Sequence, residues 1–270
     1  MDDYAHKLYI GNFIRISVIR RVIGELNLPS GSKGLDAGCG IGSLSMMLAE
    51  AVGHEGHVTG LDISPDFLKI AKKNAEKSGM SSQVSFQQGD VTNLPFEDES
   101  FDWVWSSDCI GYPYLRSSSQ IKELARVIKP GGIIAILSWS SQRFLPGYDL
   151  LEARLNLSCS GTAPYITGKK PEELFMRAQA WFREAGLTDI KAHTFAGDVQ
   201  APLDNNLREA LAAFFEMLWG DNRSMYSDDD WAEYQRLCLP DSPDFIANLP
   251  DYYGFFTYTM FSGIVGLRSE

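Results

Sequence analysis

The run Leu35-Asp36-Ala37-Gly38-Cys39-Gly40-Ile41-Gly42 sets an acid before three alternating glycines, between a stretch that reads as a strand and one that reads as a helix. Glycines there let the chain turn tightly and bring its backbone against a ligand, while the helix start presents free N–H groups. Taken alone, the run reads equally well as a tight turn. Asp62, 20 residues past Gly42 at the end of the second expected strand, sharpens the reading, because an acid there can accept both ribose hydroxyls of a nucleoside. The plainer reading of Asp62 is a solvated helix cap. Dinucleotides and S-adenosylmethionine both use this geometry, and charge separates them. A pyrophosphate favours a neutral, donor-rich turn, whereas a sulfonium and an α-ammonium favour anionic or carbonyl partners, and Asp36 is such a partner. The third glycine follows the second by two residues, not three, so the dinucleotide pattern G-x-G-x-x-G is broken.

Positioning these residues requires a sheet, and the chain has the pattern for one. Ile19, Val22, Ile23 and Leu26 mark an amphipathic N-terminal helix that stops at Pro29-Ser30-Gly31. Strands follow near 34–37, 57–61, 83–88 and 101–106, with a helix carrying Leu44, Met47, Leu48 and Ala51 after the first. Ser64-Pro65 caps another helix, whose buried side is expected to carry Phe67, Ile70 and Ala71. After the fourth strand come a helix with Ile121, Leu124, Ala125 and Ile128, a Pro130-Gly131-Gly132 turn, and a strand from Ile133 to Leu137. Such alternation predicts a parallel sheet covered on both faces. Residues 140–170 read as an irregular functional loop, then a helix from Leu174 to Ala185 leads into a strand near 188–195. Two further amphipathic patterns, around Leu211 and Tyr234, precede a β-rich run from Tyr253 to Val265 that suits a sheet edge.

Composition narrows the partners. With 270 residues, 44% hydrophobic and 22% charged, the chain is globular. A net charge of −11 repels phosphate backbones and anionic membranes, which disfavours a nucleic-acid substrate. No apolar run approaches the ~20 residues of a membrane helix, and the N-terminus lacks the order of a signal peptide, so a cytoplasmic protein is expected. Four scattered cysteines without a CxxC pair indicate neither a disulfide framework nor a metal site.

The glycine run, together with Gly60-Leu61-Asp62-Ile63-Ser64, Gly89-Asp90-Val91, Leu94-Pro95-Phe96, Ser100-Phe101-Asp102 and Lys129-Pro130-Gly131-Gly132, resembles class I S-adenosylmethionine-dependent methyltransferases. The likeness is to their small-molecule branch, which includes quinone-biosynthesis C-methyltransferases. It covers residues 33–140, more loosely to 196, and leaves out the N-terminal helix and 200–250. It implies a doubly wound, Rossmann-like α/β fold: seven strands in the order 3-2-1-4-5-7-6, the last antiparallel, with helical cap insertions. A single methyltransferase domain over 1–270 would comprise a cap helix (1–28), a cofactor-binding core (29–139) and cap insertions (140–170 and 200–250). By resemblance, Asp36, Gly38 and Gly40 hold the methionine part of S-adenosyl-L-methionine, Asp62 the ribose, Ile63 packs on adenine, Asp90 accepts from its amino group and the Val91 backbone donates to the ring. Residues Ser106 to Asp108, Ser107 among them, border the sulfonium.

The expected activity is methyl transfer to a small, apolar or aromatic acceptor, held between the carboxyl ends of the strands and the cap. Tyr9, Tyr112 and Tyr114 are the best candidates for its pocket, with Tyr165 a further wall residue, whereas Phe214, Phe215 and Trp231 read first as core of the cap. A non-enzymatic binding module and a protein or nucleic-acid methyltransferase are the alternatives. Cys109 is placed where arsenite methyltransferases use cysteines, but those depend on several, so it reads as a packed thiol. His193 reads as a core or edge histidine, and Asp228-Asp229-Asp230 as the solvated start of a helix.

Overall fold

Local signals set most element boundaries, and a computed structural model describes residues 3–111, 117–157 and 170–266. Tyr112, Tyr114, Cys159 and Tyr165 lie outside the described residues. Helix α1 (Asp3–Leu26) precedes β1 (Lys33–Ala37), which is buried from Gly34 onward, as befits a central parallel strand. Gly42, at φ 80°, opens α2 (Ser43–Val52). Strand β2 (His57–Asp62) leads to Ser64, whose hydroxyl accepts the Phe67 N–H at 3.3 Å and caps α3 (Pro65–Lys77) with proline in the first turn. The buried face of α3 is Leu68, Ala71 and Ala75. Phe67 and Ile70, expected on that face, are only half-buried, because the side chains that reach the sheet lie one position further round the helix.

Then come β3 (Val84–Gln88), β4 (Phe101–Ser107), α4 (Ser117–Arg126), β5 (Ile128–Arg143) and α5 (Asp149–Asn156). A 3₁₀ turn at Pro171–Glu173 precedes the helix expected from Leu174, and a second at Phe175–Arg177 replaces its start, so α6 covers only Ala178–Glu184. The chain ends with β6 (Leu187–Gln200), α7 (Asn205–Trp219), α8 (Asp228–Cys238) and β7 (Tyr253–Val265). Ser227 caps α8 by accepting the Asp230 N–H, and all three acids sit in its first turn.

The seven strands form one sheet in the order β3-β2-β1-β4-β5-β7-β6. The first five are parallel, with Asp36 level with Gly60 on one side and Trp105 on the other. Strand β7 runs against β6, since Thr188 bonds to Ile264, Thr194 to Thr259 and Ala201 to Tyr252. It therefore lies inside the sheet, not at the edge that its pattern alone suggested. Lys129-Pro130-Gly131-Gly132 is not a turn between elements. Pairing passes from Phe101 opposite Ile128 to Trp103 opposite Ile133, so the segment bulges out of β5 while Lys129 Nζ holds Asp102 Oδ1 at 2.7 Å. Beyond Leu137 the strand continues to Arg143, and α5 follows inside the stretch that read as irregular.

The chain packs as two compact units. The first comprises Met1–Ile19, Ser140–Lys169 and Ala196–Thr257. Its core is aromatic: Phe144 lies 6.3–6.4 Å from the rings of Phe214, Phe215 and Phe256, and Phe215 stacks on Trp219. Trp231 stacks between Tyr226 and Tyr234. Buried Glu152 accepts the Phe144 and Leu145 N–H groups at 2.8 and 3.1 Å, joining α5 to the end of β5, and burial raises its pKa. The second unit, Arg20–Trp139, Lys170–Phe195 and Tyr258–Glu270, holds the parallel strands.

Candidate cofactor and methyl-transfer site

In the second unit, β1 pairs with β2 on one side and β4 on the other, so its carboxyl end is the switch point where open α/β sheets bind ligands. The glycine loop begins there. Gly38 and Gly40 have φ of 84° and 52°, and the Gly38 and Cys39 N–H groups both donate to Leu61 O at 2.8 and 2.9 Å. A Cβ on Gly38 would stand 2.5 Å from Cys109 Cβ and Sγ. The loop is thus pressed against the end of β4, and only glycine fits.

Asp62 ties the loop to β2. Its Oδ2 accepts the Gly40 N–H and its Oδ1 the Ser64 N–H, each at 2.9 Å. Ile63, next to it, is 67% exposed, an apolar side chain left facing solvent. Asp36 is 1% exposed and accepts the Ser45 hydroxyl of α2 at 2.6 Å, a partner that no spacing in the sequence marks. Beyond β3, Asp90 Oδ1 accepts both the N–H and the hydroxyl of Thr92, at 2.8 and 2.7 Å. Among the described residues nothing donates to its Oδ2, and Val91 N–H donates to none of them. Ser107 is buried, and its hydroxyl donates to Asp108 Oδ2 at 3.2 Å. Asp108 does more than border the loop. At φ 51° it also accepts the Trp139 N–H at 2.9 Å and the Tyr258 hydroxyl at 3.1 Å, tying the end of β4 to β5 and β7.

The structure therefore gathers Asp36, Gly38, Gly40, Asp62, Ile63 and Ser107 around the ends of β1, β2 and β4, with Asp90 and Val91 in the turn after β3. Tyr9 lies in the first unit, 48% exposed and edge-on to Phe13 at 6.0 Å. His193 is exposed on β6, 3.3 Å from Glu25 and stacked on Phe195. Burial first, then Asp36 and Asp62, push the Cys39 thiol up. Cys109 is raised to about 12 by burial first and Asp62 next. Both thiols are neutral at pH 7, and both report a negative field at the loop.

The methyltransferase domain family matches residues 28–181 of the chain. The demethylmenaquinone methyltransferase of Staphylococcus epidermidis is 34% identical over 200 residues, covering 67% of this chain and 78% of its own. The chain belongs to the methyltransferase domain family. Solved structures agree in fold. A Haloferax volcanii chain in complex with the Trm112 methyltransferase activator has a TM-score of 0.61 at 19% identity, covering all of this chain and 97% of its own. The YcgJ protein from Bacillus subtilis has a TM-score of 0.56 at 17% identity, covering 93% and 99%.

This methyltransferase uses S-adenosylmethionine as its methyl donor, and its residues suit that molecule. The acids around the loop, Asp36, Asp62 and Asp90, match a cationic nucleoside better than a pyrophosphate, and Asp90 Oδ2 and Val91 N–H carry no bond to a described residue.

Proposed function

We propose that this methyltransferase transfers a methyl group to a small, apolar aromatic acceptor of the quinol type. The observation that carries the reading is the acid-lined glycine loop in a chain 34% identical to an enzyme named for demethylmenaquinone. S-adenosylmethionine, when bound, supplies a methyl already activated by its sulfonium. The chain's part is to hold and orient. In this reading Asp36, Gly38 and Gly40 hold the methionine part, Asp62 the ribose, and Ile63 covers adenine, whose edge meets Asp90 Oδ2 and Val91 N–H. Ser107 stands beside the reacting centre. These groups align donor and acceptor for in-line displacement and keep water out.

The acceptor is assigned to the first unit, which gathers the N-terminal helix as far as Ile19 with residues of both insertions and leaves Tyr9 and Phe13 exposed as aromatic contacts. We read the chain as one methyltransferase domain. The charge of −11 supports a small molecule over a polynucleotide. No described helix is long and apolar enough to cross a membrane, which supports a cytoplasmic enzyme.

The test is turnover with reduced quinones, other small phenols and polynucleotides, reading S-adenosylhomocysteine by mass spectrometry. Product formation with a quinol is expected. Turnover with polynucleotides alone, or binding of the donor without any turnover, would overturn the acceptor assignment.

A further inference from the structure

Asp90 and Val91 sit in a turn closed on itself, Asn93 N–H donating to Asp90 O at 3.1 Å. Two apolar side chains, Val91 and Leu94, pin it into the core. Apolar pins fix depth but leave a peptide plane free to rock. The polar grip comes from α4. Glu123 Oε1 accepts the Leu94 N–H at 2.8 Å, and Arg126 Nη2 donates to Leu94 O at 3.1 Å, so both sides of one residue's backbone are held. Arg126 Nη1 donates to Phe96 O at 2.8 Å and to Asp98 at 2.9 Å, while Nε and Nη2 grip Glu123 at 3.1 and 2.7 Å. All five guanidinium N–H groups are used, and a planar fork with that many donors has no equivalent among side chains.

Resting on the reading of Asp90 and Val91 as the adenine contacts, we propose that Glu123 and Arg126 are positioning residues that hold this turn in the orientation that reads the adenine edge. They touch no part of the donor. Their effect is on selectivity for the amino group, which Asp90 Oδ2 accepts and which an inosine-type base replaces with a repelling carbonyl oxygen.

The test compares binding of S-adenosylhomocysteine and S-inosylhomocysteine by calorimetry to the wild-type enzyme, Arg126→Lys and Glu123→Gln, with thermal melts alongside. Arg126→Lys keeps the charge but cannot span the two carbonyls, Asp98 and Glu123 together. It is expected to lower the preference for the adenine ligand by roughly tenfold, chiefly by weakening that ligand. Glu123→Gln keeps an acceptor for Leu94 and is expected to lower it by roughly threefold, which decides the matter if the arginine variant does not fold. Equal weakening of both ligands, or an unchanged preference with a lowered Tm, would mean a purely structural clasp and overturn the proposal. A wild-type enzyme that binds S-adenosylhomocysteine without preferring it also overturns it. Failure of the wild type to bind S-adenosylhomocysteine would instead sink the reading of the donor site, and the clasp with it.

Discussion

Asp62 already carries two backbone N–H bonds, from Gly40 and Ser64, so its side chain shapes the glycine loop before any ligand arrives. Removing it loosens the loop and, in the proposed reading, also takes away the ribose acceptor. Asp62→Ala is expected to weaken donor binding at least about tenfold, since a hydrogen bond to a charged group contributes on the order of 1.5–3 kcal/mol. Calorimetry with S-adenosylhomocysteine on the folded variant checks this, and an unchanged affinity would show that the ribose is held elsewhere. Cys109 makes the opposite case. Its Cβ and Sγ fill the space that glycine leaves at position 38, and burial pushes its pKa up to about 12. The neutral thiol is the dominant form throughout the physiological range, so its role is packing. Cys109→Ser is expected to keep most methyl transfer, and arsenite is expected not to be an acceptor. Arsenite-dependent formation of S-adenosylhomocysteine that disappears in the variant would reverse that assignment.

Among the elements, the end of β4 is held by Asp108 through bonds to β5 and β7. Asp108 adopts the left-handed region, which L-residues avoid and aspartate tolerates better than most. Its N–H donates to Leu137 O at 2.8 Å, and its carboxylate accepts from Trp139 of β5 and Tyr258 of β7. One side chain thus ties the end of β4 to two further strands. Asp108→Ala is expected to cost about 2–4 kcal/mol, because part-buried donors on β5 and β7 lose a charged acceptor. Asp108→Asn should lose less, since asparagine also tolerates the left-handed region and keeps one oxygen. Urea unfolding would register the loss as a lower midpoint at constant slope, and an unshifted midpoint would show that the strands hold one another without it.

At the scale of the molecule, the division of labour follows chemistry. The second unit carries the parallel strands and the acids proposed to hold the donor, while the first is built on aromatic rings packed against one another. Most of those rings are core, so their substitution would unfold the unit. Tyr9, at 48% exposure, is not. Tyr9→Ala is expected to raise the KM for the acceptor by roughly tenfold while donor affinity and Tm stay near wild type. Steady-state kinetics beside a thermal melt would check it, and an unchanged KM would take Tyr9 out of the acceptor site.

Signals that act within a few residues were legible in the sequence. The glycine spacing after β1, the Ser64-Pro65 cap and the distance from Gly42 to Asp62 each reflect backbone geometry that neighbouring residues impose on one another. Strand–helix alternation indicated the parallel sheet for the same reason. What the tertiary structure alone decided depends on partners far apart in the chain. Pro130-Gly131-Gly132 reads locally as a turn, yet pairing with β4 on both sides makes it a bulge inside one strand. The alternation in β7 shows a strand but not its neighbours, and hydrogen bonds to β6 set its direction. Asp108 and Tyr258 are 150 residues apart, and Ser45 and Arg126 meet their partners across loops. A bond from a side chain to a distant group imposes no period on the sequence, so only the folded chain reveals it.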